Sequence, residues 1–407
     1  MLNIYIIFAL LCGVTSILGD HIGVGMVDYA FFIMFVAISV LMSRRKQVVP
    51  KSYFLILVAY VLLISVNAYV SPYTTGIKYV LIGTVATLMP FILFIVSYNY
   101  VMDDRGVGRL MDALIYLVLS MCGIAVLETL LFPSFYEYSS SILKISLIKP
   151  GFFASMCNQG VILSLYRYSV TQRKKYRNIA WVLSVAAVLT IQLKVIAGLA
   201  CIWMLYVVIM SERKRRSRTM AVILAGALVA VMAAINIPAL SSKIEKYVGI
   251  YGGENAYENV ARPALYYQSV NIANDFFPLG SGQGTFGSIP VNMIYNPIYY
   301  DYGLSGIYGL GETGENFKMD THWSNILGEN GYLGTLLYLL LFCYPLRYIR
   351  KAKGHPGYRS YRFLILTVLV VVMFESLTLC IPGRMAFMFI YAGVLSIICR
   401  KISLECA

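Results

Sequence analysis

Charge is scarce in this sequence. Only 13% of its 407 residues are Asp, Glu, Lys or Arg, against about a quarter in a soluble domain. Histidine and tryptophan occur three times each and acidic residues 19 times. The eight cysteines (Cys12, Cys122, Cys157, Cys201, Cys343, Cys380, Cys399 and Cys406) stand singly. With no CxxC and no Cys/His spacing, neither a zinc site nor a disulfide framework is indicated. The N-terminal stretch MLNIYIIFALLCGVTSILGD lacks a basic leader region and an A-x-A-like cleavage site, so it reads as a retained first span. Tandem repeats and low-complexity tracts are also absent.

Apolar residues fill the chain instead. They make up 59% of it, and the mean hydropathy is +0.73, which implies an all-α, polytopic integral membrane protein. Segments of about 20 mainly apolar residues can cross a hydrocarbon core of roughly 30 Å. Twelve are marked, near 3–19, 24–42, 52–70, 79–98, 109–132, 151–170, 178–193, 195–210, 219–237, 323–345, 363–380 and 384–399. An even number puts both termini on one side. Three regions follow: spans one to nine in residues 1–237, a large hydrophilic loop in 238–321, and the last three spans with a tail in 322–407.

The net charge of +14 fits nucleic acid poorly once its distribution is read. With both termini cytoplasmic, the inner loops and tail hold 24 of the 33 Lys and Arg residues, as the positive-inside rule requires. The nine left outside are Lys78, Lys144, Lys149, Lys194, Lys243, Lys246, Arg262, Lys318 and Arg384. The apolar run from Asn178 to Met210 would be roughly 50 Å long as one helix, and one crossing would strand a basic loop outside. Two short crossings satisfy the charge rule. The turn at Gln192-Leu193-Lys194 then dips below the outer surface, making Lys194 a half-buried cation.

Within the large loop, ENVARPALYYQSVNIANDFF places Val260, Ala264, Leu265, Val270 and Ile272 at helical spacing, with Pro263 in the first turn or at a kink. Arg262 belongs to that helix; its bland partner would be Glu258, four residues earlier. FPLGSGQGTFGS alternates Gly280, Gly282 and Gly284. No βαβ unit precedes it, so a nucleotide signature is weak; a tight turn in which backbone closely approaches another element or a ligand fits better. MDTHWSNILGENGYLG, residues 319–334, opens span ten. There Asp320 or Thr321 can cap the helix, Gly331 and Gly334 allow close packing, and His322, Asn325 and Glu329 share roughly one face. Direct contact between His322 and Glu329, two turns apart, is not expected. Glu329 is open between polar packing and a role in the site.

A cation at membrane depth costs about 2.5–3.5 kcal/mol on insertion scales and needs a partner. Arg262, Lys149, Lys194 and Arg384 on the outer side suit Glu329, Glu375, the loop acids or an anionic ligand such as a phosphate or pyrophosphate. For Lys149 and Arg384 the competing reading is a snorkelling interfacial anchor.

An Arg-bearing helix, then PLGSGQGTFGS, NPIYYDYG and DTHWSNILGENGYLG, in that order, resembles the O-antigen polymerase/ligase superfamily. The likeness is greatest to Wzy-type polymerases of O-antigen, capsule or exopolysaccharide repeat units, and it covers roughly residues 145–345 in ordered pieces. The resemblance implies a GT-C-like glycosyltransferase of a bacterial inner membrane, without cofactor or metal, with its site facing outward. It implies a polyprenyl-diphosphate-linked oligosaccharide as donor and a second glycan as acceptor. It further implies Arg262, and Lys194 where a span-end arginine is common, at the diphosphate; Lys149 likewise stands where arginine is common. His322 would activate the acceptor hydroxyl, and a chain-length regulator would be a partner. Lysine keeps the charge but loses the bidentate fork. Two other readings stay open: a ligase that transfers glycan to lipid A-core, and a transporter of the same lipid-linked glycan. The transporter is disfavoured by the lack of a two-fold internal repeat.

Overall fold

A computed structural model describes residues 4–9, 11, 27–42, 48–131, 142–143, 150–211, 259–378, 380 and 385–406. Every regular element among them is helical. The expected span at 219–237, the first part of the large loop, Lys149, Arg384 and Glu258 all lie outside the described residues.

The principal helices are α1 (Val27–Met42), α2 (Lys51–Val70), α3 (Ile77–Tyr98), α4 (Asp104–Leu131), α5 (Pro150–Thr171), α6 (Lys174–Leu189), α7 (Leu193–Met210), α8 (Ala261–Asp275), α9 (His322–Phe342), α10 (Tyr358–Glu375) and α11 (Leu395–Glu405). A π-helical turn, Phe389–Val394, leads directly into α11. Among the described residues, five segments are long and apolar enough to cross a membrane: α2, α3, α4, α7 and the stretch from His322 to Lys351 that begins with α9. The expectation of twelve exceeds this number. One physical reason is length, since α1 and α6, at 16 residues each, extend only about 24 Å. Leu55, Leu62, Leu127, Leu130 and Leu336 point outward, as suits helices surrounded by hydrocarbon.

The run from Asn178 to Met210 does break into two helices. Ile191, at φ 51°, turns the chain between α6 and α7, and Lys194 at the start of α7 is half-buried. The centre of the bundle is α5, which is buried on all sides from Phe153 to Tyr166, the mark of a helix with no solvent face. It packs on α4, α6, α7 and α10, while α9 lies against α2 and α8.

The segment after α8 has an apolar core of its own. Leu265, Ile272, Phe286, Ile298, Tyr299 and Leu304 form it together with neighbouring residues, and the Phe286 and Tyr299 rings stack at 5.8 Å. Pro263 sits in the first turn of α8, where a missing N–H costs no hydrogen bond. At the far end of α9 from His322, the helix Leu346–Lys351 carries Arg350 and Lys351 in its last turn. The basic connection into α10 therefore lies opposite the His322 end.

Candidate functional site

Residues 376–378 and 380, just after α10, are where Lys194, His322 and helix α8 come together. Lys194 Nζ donates to the Thr378 carbonyl at 3.1 Å. The His322 backbone N–H donates to the Ser376 carbonyl at 3.2 Å. Tyr266, on α8, donates its hydroxyl to the Leu377 carbonyl at 2.8 Å. Cys380 Sγ lies 3.5 Å from His322 Nδ1. Three elements far apart in the chain thus reach one stretch of backbone.

Arg262, the second residue of α8, pairs with Asp320 at 2.7 Å, and both side chains are about 30% exposed. Asp320 is therefore not the cap of α9. Thr321 takes the N-cap position without a side-chain cap bond and bonds the Ser324 hydroxyl instead. The charges of Arg262, Glu375 and Asp320 all act on Lys194. Two cations and two acids consequently share one end of the bundle.

His322 is buried as the first residue of α9. Its Nε2 and the buried Tyr338 hydroxyl are 2.9 Å apart. Its Nδ1 faces the half-exposed Cys380, whose Sγ lies 3.5 Å away. The ring is held on two sides, which fixes its orientation. Direct contact with Glu329 is absent from the bonds of either side chain, as two turns of separation implies.

No protein-family model matches this chain. No curated protein matches it either.

Glu329 belongs to a different part of the fold. Its Oε1 accepts from Gly284 N at 3.0 Å, Phe286 N at 3.0 Å and Ser288 Oγ at 2.5 Å. The glycine loop lies directly on α9, with Ser281 N donating to Gly328 O at 2.9 Å and Gly282 N to Glu329 O at 3.0 Å. Gly282 (φ 96°) and Gly284 (φ 86°) occupy backbone conformations that favour glycine. A Cβ on Gly280 would run into the Gly328 carbonyl and the Glu329 backbone. These amides are spent on α9 and Glu329, so the close backbone approach seen here is to another element of the protein. Gly331, at φ 62° and ψ −165°, kinks α9 and makes room for the Leu279 carbonyl.

Lys318, one of the expected outer cations, is turned inward. Its Nζ donates to Gly311 O at 2.9 Å and sits over the Tyr295 ring, and burial pushes its pKa down. Among the described residues, no group of three or more His, Cys, Asp or Glu side chains could hold a metal ion. Sequence reasoning missed Tyr266, Tyr338, Cys380 and the carbonyls of 376–378. The available signal was the polar ESLTLC, residues 375–380, closing an otherwise apolar helix.

Proposed function

We propose that this protein polymerises polyprenyl-diphosphate-linked oligosaccharide repeat units on the outer face of a bacterial cytoplasmic membrane. The observation that carries the reading is the convergence of Lys194, His322 and Tyr266 on residues 376–378 and 380, with the Arg262–Asp320 pair one turn from Tyr266 on α8 and just before His322 in the chain. In this reading, both termini are cytoplasmic and the site opens outward. The basic stretch between α9 and α10 lies at the opposite end, in keeping with the positive-inside rule.

The chemistry is a displacement at an anomeric carbon. The acceptor hydroxyl oxygen forms the new bond while the bond to the diphosphate oxygen breaks and takes its electron pair to the leaving group. The acceptor proton passes to His322 Nδ1. Lys194 and Arg262 stabilise the charge that develops on the diphosphate, an effect greatest for cations fixed in a water-poor site before the reaction. Asp320 holds the guanidinium until the donor's phosphate oxygens compete for it.

The test is complementation of a strain lacking the protein. Arg262→Ala and His322→Ala should each abolish long polysaccharide chains with protein level unchanged; normal chain lengths in both would end this reading. Purified protein given lipid-linked repeat units alone should elongate them. Strict dependence on lipid A-core would instead identify a ligase.

A further inference from the structure

Glu375 is fully buried at the end of α10, yet it is poorly served by hydrogen bonds. Asn158 Nδ2, on α5, donates to Oε1 at 2.7 Å, while Oε2 has no hydrogen-bond partner. A buried carboxylate ordinarily collects donors or sits by a cation. Glu375 has one amide, the neighbouring Ser155 hydroxyl of α5 and the charge of Lys194.

The surroundings make that arrangement specific. The same Asn158 amide also donates to the Val195 carbonyl at 3.0 Å, so it ties Glu375 to the residue next to Lys194. Gly198 lies one turn further along α7. A Cβ there would stand 3.0 Å from Glu375 Oε1 and 3.1 Å from Asn158 Nδ2, so the glycine provides the space for this pair. Lys194 itself lies in the first turn of α7, where the helix dipole is positive and a cation is disfavoured. Among the described residues its ammonium has one hydrogen bond, to Thr378 O, three residues after Glu375.

We infer that Glu375, through Asn158 and its charge, is a positioning residue that holds Lys194 in place to receive an anionic diphosphate. This rests on the proposed role of Lys194 at the donor diphosphate. Glu375 does not touch the ligand; it fixes the start of α7 and offsets the charge of Lys194 while the site is empty of donor.

Plain electrostatics predicts the opposite effect of removing the acid. An anion should bind more tightly once a nearby negative charge is neutralised. Positioning predicts weaker binding, and only while Lys194 is present. The experiment measures inorganic pyrophosphate binding to purified full-length protein in detergent at fixed ionic strength, with the thermal midpoint of each variant recorded. Wild type should bind pyrophosphate, and Lys194→Met should weaken it at least tenfold. Glu375→Gln, which keeps the size and an acceptor for Asn158, should weaken it three- to tenfold. In the Lys194→Met background the same change should have no further effect. The exchange Asn158→Asp with Glu375→Gln returns a carboxylate–amide pair beside Lys194 and should recover affinity to within threefold of wild type.

Wild-type binding unaffected by Lys194→Met, or no binding at all, overturns the anion-site reading and this inference with it. A Lys194-dependent site that binds pyrophosphate equally or more tightly in Glu375→Gln overturns the inference alone. So does a Glu375 effect that persists without Lys194, since that would mark general damage to the fold.

Discussion

Replacing Glu329 with alanine tests the account of the glycine loop. One carboxylate oxygen receives Gly284 N, Phe286 N and Ser288 Oγ, and the side chain is fully buried. Glu329→Ala strands all three donors. A buried donor left unpaired costs about 1–3 kcal/mol, so the loss lies between about 3 and 9 kcal/mol. Local relaxation should bring it toward about 3–5 kcal/mol. Glu329→Gln keeps an acceptor oxygen at that position and should cost about 1–2 kcal/mol, mainly from the weaker, uncharged acceptor. A loss of about 3 kcal/mol is more than a hundredfold in an equilibrium constant. Hydrogen exchange on protein in detergent should therefore show the Gly284 and Phe286 amides exchanging at least a hundredfold faster in Glu329→Ala. The amides of α5 should be unchanged, because local opening need not spread to the rest of the fold. Exchange of those two amides within threefold of wild type would refute the claim that Glu329 pins the loop.

Two further predictions concern backbone and pH. Gly303 and Gly331 both have positive φ, at 67° and 62°, but a Cβ on Gly303 meets nothing within 4 Å, whereas one on Gly331 strikes the Leu279 carbonyl. Gly303→Ala should cost only the conformational term, about 1–2 kcal/mol, while Gly331→Ala should cost more; equal falls in thermal midpoint would argue against the close packing at the α9 kink. Burial, then the hydrogen bond and charge of Asp301 with the charge of Asp275, pushes the Tyr73 hydroxyl up to about 12. A group raised in the folded state stabilises below its ordinary pKa of about 10 and loses that contribution as pH climbs through the folded value. The tie between Tyr73 and Asp301, 2.7 Å in length, should therefore weaken from pH 10 to about 12, and Tyr73→Phe should remove that tyrosinate step from an absorbance titration.

What was legible in the sequence is what local pattern and length can carry. The break between α6 and α7 follows from a run too long for one crossing, and the half-buried Lys194 follows from the break. Pro263 marked the first turn of α8, and the alternating glycines marked a close backbone approach. The partners were not legible, because they come from distant parts of the chain. Lys194 meets a carbonyl 184 residues later, and Asp320 reaches back 58 residues to Arg262. Read locally, Asp320 preceded a helix and looked like a cap; in space the nearby guanidinium claims it. The number of spans was also less secure than the charge pattern implied, because α6 is apolar but short.

The two buried glutamates show where sequence and structure part company. Both stand in apolar runs near helix ends, and either could have been assigned to the site or to packing. The number of donors at the bonded oxygen separates them. Glu329 gives Oε1 to three donors within a single loop, while its Oε2, like that of Glu375, has no hydrogen-bond partner among the described residues. Glu375 has the Ser155 hydroxyl beside it and receives one amide, which is shared with a carbonyl beside Lys194. Hydrogen bonding alone does not offset its burial, and the charge of Lys194 acts on it as well. The nearby cation is Lys194, whose ammonium donates to the Thr378 carbonyl beside the His322 end of α9. An under-bonded acid beside an under-bonded lysine is a poor way to stabilise a helix bundle, since a well-packed apolar pair would do as well or better. It is a good way to keep a cation fixed until an anion arrives.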